Sequence, residues 1–517
     1  MMSIDVLVDR ESEAGWLKYV LDNFVLVSRM SLTLNVCSQA QHSKRDSSLV
    51  ITYGIENNLD NERVISIPRV NDYQPRDYSY IVADELQDSR IEGALIPVFQ
   101  KTFAPEYSCS GKPLLKSKVD GSCCAALMDN GIKLSFDLFY NSFVHLSCLE
   151  EWEYEKRFGP IHAYAGKLKG MDTIYQKPIV NYLFAILEDM LLLLADEPHK
   201  DTLFRKRKGF QICLTHDVDY IRKTASLRAK RSAFYLSNGF RDLGKAKLPG
   251  ALKKIYRSLC FLLSPCDYWQ FEYIQELEEA HNFRSTFYVY AGVRPRQMLQ
   301  HLRRLVFDPG YDVEENVKLQ DKIKELTEKG WEVGLHGSFD SYNSPELLLE
   351  EKNRLEAISG LPVLSTRQHW LHLSLRNTWK IQAEAGIRAD TTLGFNDCVG
   401  FRTGVASSFY PYDFDGRERH QILEVPMVLM DGTLFDHCQM DDDEALEKSL
   451  EILGEVKKFN GCVAVNWHQR TPAVDYKWYW LYQEILSWIK QNKGEGIPLS
   501  RCVEALDQDE ALLQRTG

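Results

Sequence analysis

Between Gly209 and about residue 500 the chain repeats one pattern: a short apolar run, a polar turn, then an amphipathic stretch of helical length. The apolar run Phe210-Gln-Ile-Cys-Leu214 stops abruptly at Thr215-His216-Asp217-Val218-Asp219. An apolar run bounded by polar residues reads as a buried strand. Further strands are expected at Phe283–Tyr290, Trp331–Leu335, Leu361–Ser365, Gly386–Ala389, Leu423–Met427 and Gly461–Val465. Helices are expected at Tyr268–His281, at Asn316–Lys329 with Gly330 as its stop, after Ser344-Pro345, and at Tyr476–Lys490. Proline suits a first helical position and glycine a C-terminal stop. Strands alternating with helices over about 300 residues imply a parallel β/α barrel or a variant of one.

Several of these strands end in reactive residues. Leu214 leads into His216, Asp217 and Asp219; Leu335 into His336 and Asp340; Ser365 into Arg367, His369 and His372. Ala389 is followed by Asp390, and Val465 by Asn466-Trp467-His468-Gln469-Arg470. In a parallel sheet all five sets occupy one rim, the end where β/α folds build chemistry. Buried charges are costly unless they bind a metal or a substrate. Asp and His together suit zinc, cobalt or another first-row divalent ion, and such an ion makes bound water acidic enough for a carboxylate to deprotonate. The i, i+4 spacing of His336 and Asp340 lets both point one way if their loop makes a single turn.

The order and spacing of these residues resemble the NodB-homology domain of polysaccharide deacetylases, carbohydrate esterase family 4. The resemblance covers roughly residues 209–500. It implies a distorted (β/α)7-type barrel that removes N- or O-acetyl groups from sugars, with a metal held by one Asp and two His. The family's T-F-D-D-G motif is matched by Thr215-His216-Asp217-Val218-Asp219, which implies Asp217 as general base and Asp219 as metal ligand. Its H-[ST]-x-x-H motif is matched at His336, with Asp340 where the second His stands. His336 and Asp340 are thereby expected as ligands; if Asp340 instead caps its loop, the site takes water, His216 or His369. The remaining motifs imply that Arg367 orients the base and that His468, tuned by Asp390, protonates the leaving group. Ser285-Thr-Phe-Tyr-Val289 is similar to the family's T-F-F-V strand. A subgroup with an N-terminal α/β domain carries a Gly-Phe-Arg-x-Gly loop, here Gly400–Gly404, where Arg402 contacts substrate or makes a structural ion pair. His369 and Trp467 are further substrate-contact candidates, with local packing as the alternative.

Residues 1–200 read as a smaller α/β domain of unassigned role, with strands at Asp5–Val8 and Leu49–Tyr53 and helices at Trp16–Val25 and Pro178–Leu194. The basic run Arg205–Lys208 marks the expected boundary, and residues 209–510 form the barrel. Within it, residues 222–257 carry eleven Lys/Arg against the single acid Asp242, although the whole chain has a net charge of −11. That insertion reads as a solvated segment or as a surface for anionic lipid or a phosphate-bearing substrate. Ala251–Leu263, which begins in it, has the pattern of a basic amphipathic helix. The overall acidity argues against general nucleic-acid binding. Twelve cysteines without C-x-x-C spacing, and an acidic, polar start, suggest a cytoplasmic protein. No apolar stretch is long enough to span a membrane. The expected partner is then an acetylated sugar, nucleotide- or lipid-linked, with peripheral membrane contact through the insertion as a further option. Two rivals stay open: an amide hydrolase acting on a small cyclic imide or ureide, and a catalytically degenerate glycan-binding module. Nucleophile-elbow, P-loop and dinucleotide-binding signatures are missing.

Overall fold

The computed structural model describes the chain except for residues 1, 11–12, 39–41, 43–48, 56–62, 71–77, 84–85, 87–88, 104–110, 169–173, 197–199, 201–202, 204–208, 245–247, 293–306 and 506–517. Arg205–Lys208, the expected boundary, and Lys245 and Lys247 of the basic insertion lie outside the described residues.

The N-terminal part is built on a nine-stranded mixed sheet. Its strands are β1 (Met2–Val8), β2 (Leu32–Ser38), β3 (Leu49–Tyr53), β4 (Arg63–Ile67), β5 (Tyr78–Val82), β6 (Leu95–Phe99), β7 (Lys112–Ser117), β8 (Cys123–Met128) and β9 (Gly131–Leu134). Their order is β2-β1-β3-β4-β9-β8-β7-β5-β6. Pairing is parallel from β2 to β9 and antiparallel beyond it. Helices α1 (Ala14–Val27), α2 (Leu138–Leu146), α3 (Leu149–Phe158) and α4 (Ile179–Leu194) accompany this sheet. Helix α4 is buried on almost every side, which a nearly continuous apolar sequence requires.

The C-terminal part is a parallel sheet. Its path is β17-β14-β13-β12-β11-β10-β19-β18, with β20 (Glu495–Ile497) paired to β10. The ranges are β10 (Gln211–Val218), β11 (Thr286–Tyr290), β12 (Glu332–Gly337), β13 (Ser365–Gln368), β14 (Ala389–Asp390), β17 (Leu423–Glu424), β18 (Met427–Met430) and β19 (Cys462–Asn466). A separate two-stranded hairpin, β15 (Tyr412–Asp413) and β16 (Glu418–Arg419), lies off the sheet. Helices α5 (Ala225–Gly244), α6 (Leu248–Leu263), α7 (Phe271–His281), α8 (Val317–Glu328), α9 (Pro345–Ser359), α10 (Thr378–Glu384), α11 (Asp442–Lys458) and α12 (Tyr479–Gln491) connect the strands.

Two features make this sheet a distorted barrel. In a flat sheet β10 and β13, three strand spacings apart, would be separated by about 14 Å. Yet Arg367 of β13 donates to Asp217 of β10 at 2.8 Å, so the sheet must curl. The segment expected as one strand, Leu423–Met427, is instead split. Leu423–Glu424 pairs with β14, whereas Met427–Met430 pairs with β19. Pro426 lacks an amide hydrogen and cannot donate to a ladder. The two half-strands therefore form one stave that closes the ring through the chain, giving seven staves.

Barrel and N-terminal sheet share one continuous apolar core. Helices α3 and α4 meet the barrel through specific polar contacts. Val180 N donates to Gly404 O at 2.8 Å, Ala406 N to Asn181 Oδ1 at 2.8 Å, and Leu375 N to Glu155 Oε2 at 2.9 Å. Gly400, with φ +126°, lies where a Cβ would meet Tyr175 O at 2.2 Å, so only glycine permits this approach. Deeper in the barrel the thiols of Cys213, Cys462 and Cys502 cluster with Sγ separations of 3.2, 3.2 and 3.9 Å, filling apolar space as small side chains. Among the described residues no helix is long and apolar enough to cross a membrane.

Candidate active site

The strand period of two explains the first pair of carboxylates. Asp217 and Asp219 are two residues apart at the end of β10, so both side chains leave the same face. Arg367 and His369 repeat this spacing at the end of β13. His336 comes from β12, and His468 from the loop after β19.

Asp217 is held rigidly. Arg367 Nη1 donates to its Oδ1 at 2.8 Å and Asn466 Nδ2 to its Oδ2 at 2.8 Å. Arg367 is fully buried, donates to Thr215 Oγ1 at 2.8 Å, and lies 4.8 Å from the Tyr288 ring centroid. Gly334, facing Tyr288, makes room: a Cβ there would meet the tyrosine ring at 2.5 Å. Burial pushes the Asp217 carboxyl up, but the Arg367 guanidinium, with His336 and His468, holds it below its ordinary value.

Asp219, His336 and His369 form a compact donor group, each offering one atom within 4.8 Å of the others. His336 Nε2 is 3.3 Å and His369 Nε2 3.6 Å from Asp219 Oδ1. Ligands at about 2.0–2.2 Å in tetrahedral geometry stand about 3.3–3.6 Å apart, so the spacing fits a zinc-sized ion. Asp219 Oδ1 and His336 Nε2 are buried and have no hydrogen-bond partner. Buried polar atoms left in that state are rare and point to a missing ligand. The other ring nitrogens are engaged: His336 Nδ1 lies 2.9 Å from Arg367 O, and His369 Nδ1 3.3 Å from Asp308 Oδ1. Because a carbonyl can only accept, His336 Nδ1 carries the hydrogen and Nε2 presents its lone pair. That is the arrangement of metal-binding histidines. Burial disfavours a charge on His336, but Asp217 and Asp219 outweigh it and favour a proton or metal ion there.

The unpaired Asp219 oxygen is aimed by its partner. Arg470 Nη1 donates to Asp219 Oδ2 at 2.6 Å. Against the burial cost, Arg470 with the neighbouring histidines holds Asp219 well below its ordinary value. His468 Nε2 is 3.5 Å from Asp219 Oδ2 and 4.0 Å from Asp217 Oδ2, and its Nδ1 lies 2.6 Å from Asp431 Oδ1. Burial lowers the affinity of His468 for a proton, but Asp431 reverses this and its pKa is raised.

Four expected assignments change. Asp340 is outside the donor group, and His369 stands in its place. The i, i+4 argument fails because His336-Gly337 remain extended in β12 and the chain turns only at Phe339-Asp340, closed by Ser341 N donating to Ser338 O at 3.1 Å. Asp390 does not tune His468. Its carboxylate takes Gln382 Nε2 at 3.0 Å and Thr392 Oγ1 at 2.7 Å, and burial raises its pKa. Asp431 fills the expected role. Arg402 does not face a substrate: it is buried and paired with Glu151, Nη2 to Oε2 at 2.7 Å. Trp467 is 1% exposed and stacks on Tyr482, leaving no face for a ligand. An exposed aromatic beside His369 is Trp370, 45% accessible.

Three contributors were not assigned from sequence. Asp431 directly follows β18, and ending that strand at Met427 hid it. Arg470 and Asn466 belong to the polar string after β19, but nothing in their spacing marks a role.

Part of the chain is similar in structure to polysaccharide deacetylases of carbohydrate esterase family 4. A Mycobacterium smegmatis protein assigned as a polysaccharide deacetylase aligns over 59% of this chain and 93% of its own, at 16% identity and TM-score 0.37. Peptidoglycan deacetylase PdaC from Bacillus subtilis aligns over 60% and 98%, at 10% identity and TM-score 0.31. A family 4 pseudoenzyme from Bacillus anthracis aligns over 59% and 70%, at 12% identity and TM-score 0.30. No protein-family pattern and no curated protein sequence matches the chain.

Proposed function

We propose that the barrel is a metal-dependent hydrolase that removes an acetyl group from an acetylated sugar or glycan intermediate of surface-polysaccharide metabolism. The observation that carries this reading is the junction of three units around one space: the Arg367-held Asp217, the Asp219/His336/His369 donor group with its unpartnered atoms, and the Asp431–His468 pair. The motif resemblance from Thr215 to His468 supports the choice of deacetylation.

Asp219, His336 and His369 would hold a divalent ion, zinc being the best match to one carboxylate and two imidazoles. When bound, such an ion supplies Lewis acidity toward the acetyl carbonyl and acidifies water. Asp217 accepts the proton of the attacking water. Arg367 and Asn466 keep its carboxylate ionised and fix its direction. His468 donates a proton to the departing nitrogen or oxygen, and Asp431 keeps its ring oriented and readily protonated. Arg470 keeps Asp219 turned toward the two histidines. Trp370 offers an aromatic face on which a sugar ring can stack.

The test is acetate release from acetylated aminosugars and their oligomers by the zinc-loaded protein. Asp217→Asn and His468→Ala should each reduce turnover by about 10²–10⁴-fold while retaining metal. Binding of acetylated glycan without any acetate release from the metal-loaded chain would replace this reading with that of a binding module.

A further inference from the structure

We infer that the hairpin of α5 and α6 is a docking element for the surface of an anionic lipid bilayer. This inference does not rest on the deacetylase reading.

The hairpin is inserted directly after Asp219 and Tyr220, between β10 and α7. Its two helices are closely packed. Ser232 Oγ donates to Ser258 O at 3.1 Å, Ser258 Oγ returns to Ser232 O at 2.9 Å, and Arg228 Nη1 donates to Leu262 O at 2.8 Å. Ala251, Ser258 and Phe261 make the buried side of α6.

The opposite side of α6 is apolar and open. Leu248, Leu252, Tyr256, Leu259 and Leu263 follow one another at steps of four, four, three and four, a single stripe along the helix. Each is more than half exposed, Tyr256 at 69% and Leu263 at 75%. Phe240 and Leu243 of α5 and Leu262 are exposed as well. Elsewhere in the described chain large exposed apolar residues are dispersed. Dispersed ones need no explanation, but a contiguous stripe marks an interaction surface.

The charge identifies the partner. Residues 222–257 hold eleven Lys/Arg and one acid in a chain of net charge −11. Among the described side chains, Lys223 pairs with Asp475 at 2.6 Å and Arg231 with Asp436. Arg222 and Arg241 are exposed. An apolar stripe combined with excess positive charge suits an interfacial helix on an anionic membrane. The two ion pairs also fix orientation. Asp436 and Asp475 belong to the segments after β18 and β19, which carry Asp431, His468 and Arg470. The hairpin is therefore fastened to the loops that build the site.

The experiment is co-sedimentation of the full chain with vesicles of phosphatidylcholine, alone or mixed with phosphatidylglycerol. The triple variant Leu252→Ser/Tyr256→Ser/Leu259→Ser alters only exposed positions, and circular dichroism checks its fold. The expected result is binding enriched about tenfold or more on the anionic vesicles, weakened by salt and lost in the triple variant. Failure of the wild-type chain to bind anionic vesicles would overturn the inference. So would unchanged binding by a folded triple variant, or a wild-type dimer that the triple variant dissociates, since the stripe would then be a self-interface.

Discussion

Arg402 separates two accounts of the Gly400–Gly404 loop. By sequence it is a candidate substrate contact; in the structure it fastens α3 to the barrel. Its Nε lies 3.1 and 3.3 Å from the two Glu151 oxygens, its Nη2 2.7 Å from Oε2, and its Nη1 donates to Gly394 O at 2.8 Å. Both partners are about 4% exposed. Arg402→Met keeps the stem but leaves the Glu151 charge buried and uncompensated. Breaking a buried pair in this way costs about 3–5 kcal/mol. Replacing both partners with apolar side chains is often nearly neutral, so Arg402→Met/Glu151→Met should recover about 2 kcal/mol or more of that loss. Urea unfolding of the three variants and the wild type measures this directly. Metal content and the KM of any substrate should be unchanged. A loss below about 1 kcal/mol in Arg402→Met, together with a raised KM, would refute the structural role and restore the substrate contact.

Further outcomes follow from three other buried groups. Asp431→Asn removes the negative charge that raises the pKa of His468, so the alkaline limb of the pH–rate profile should move to lower pH, with turnover reduced about 10²-fold or more. Asp390→Asn should leave that limb in place, because Asp390 touches Gln382 and Thr392 instead. Burial raises Asp137, the N-cap of α2, to about 7 despite donors from Tyr140, Val70 and Tyr53. Between about pH 4 and 7 the folded chain thus retains a proton that the unfolded chain has lost. Stability should fall as pH rises through that window, by up to roughly 4 kcal/mol at about 1.4 kcal/mol per unit of difference. Asp137→Asn should flatten this slope in denaturation curves taken across the window.

The barrel was legible because its strands are apolar runs with abrupt polar ends, and those ends are where its chemistry gathers. Asp217, Asp219, His336, Arg367 and His468 all converge as the strand-end argument expected. What failed was local. Helical spacing does not relate His336 to Asp340, because His336-Gly337 are extended and the turn comes only at Phe339-Asp340. Strand breakage at Pro426 moved the true strand end from Met427 to Met430 and concealed Asp431. Arg402 and Trp467 face inward, and inward or outward direction in an irregular loop has no sequence period. His369 stood in the sequence as an alternative ligand, and its i, i+2 relation to Arg367, which places both on one face of β13, favours it over Asp340. The N-terminal sheet was only partly legible: β3 is a clear apolar run, but the antiparallel strands β5 and β7 are short and mixed in polarity and β6 carries Pro97 in its middle.

The central claim is that Asp219, His336 and His369 hold a divalent ion and that Asp340 does not. Metal content of the zinc-reconstituted chain, measured for wild type and for single alanine variants at these four positions, tests it most directly. The account predicts about one ion per chain in the wild type and in Asp340→Ala, and loss of the ion in Asp219→Ala, His336→Ala and His369→Ala. Retention of the ion in His369→Ala together with its loss in Asp340→Ala would contradict the donor set, and no ion in the wild type would contradict the metal centre itself.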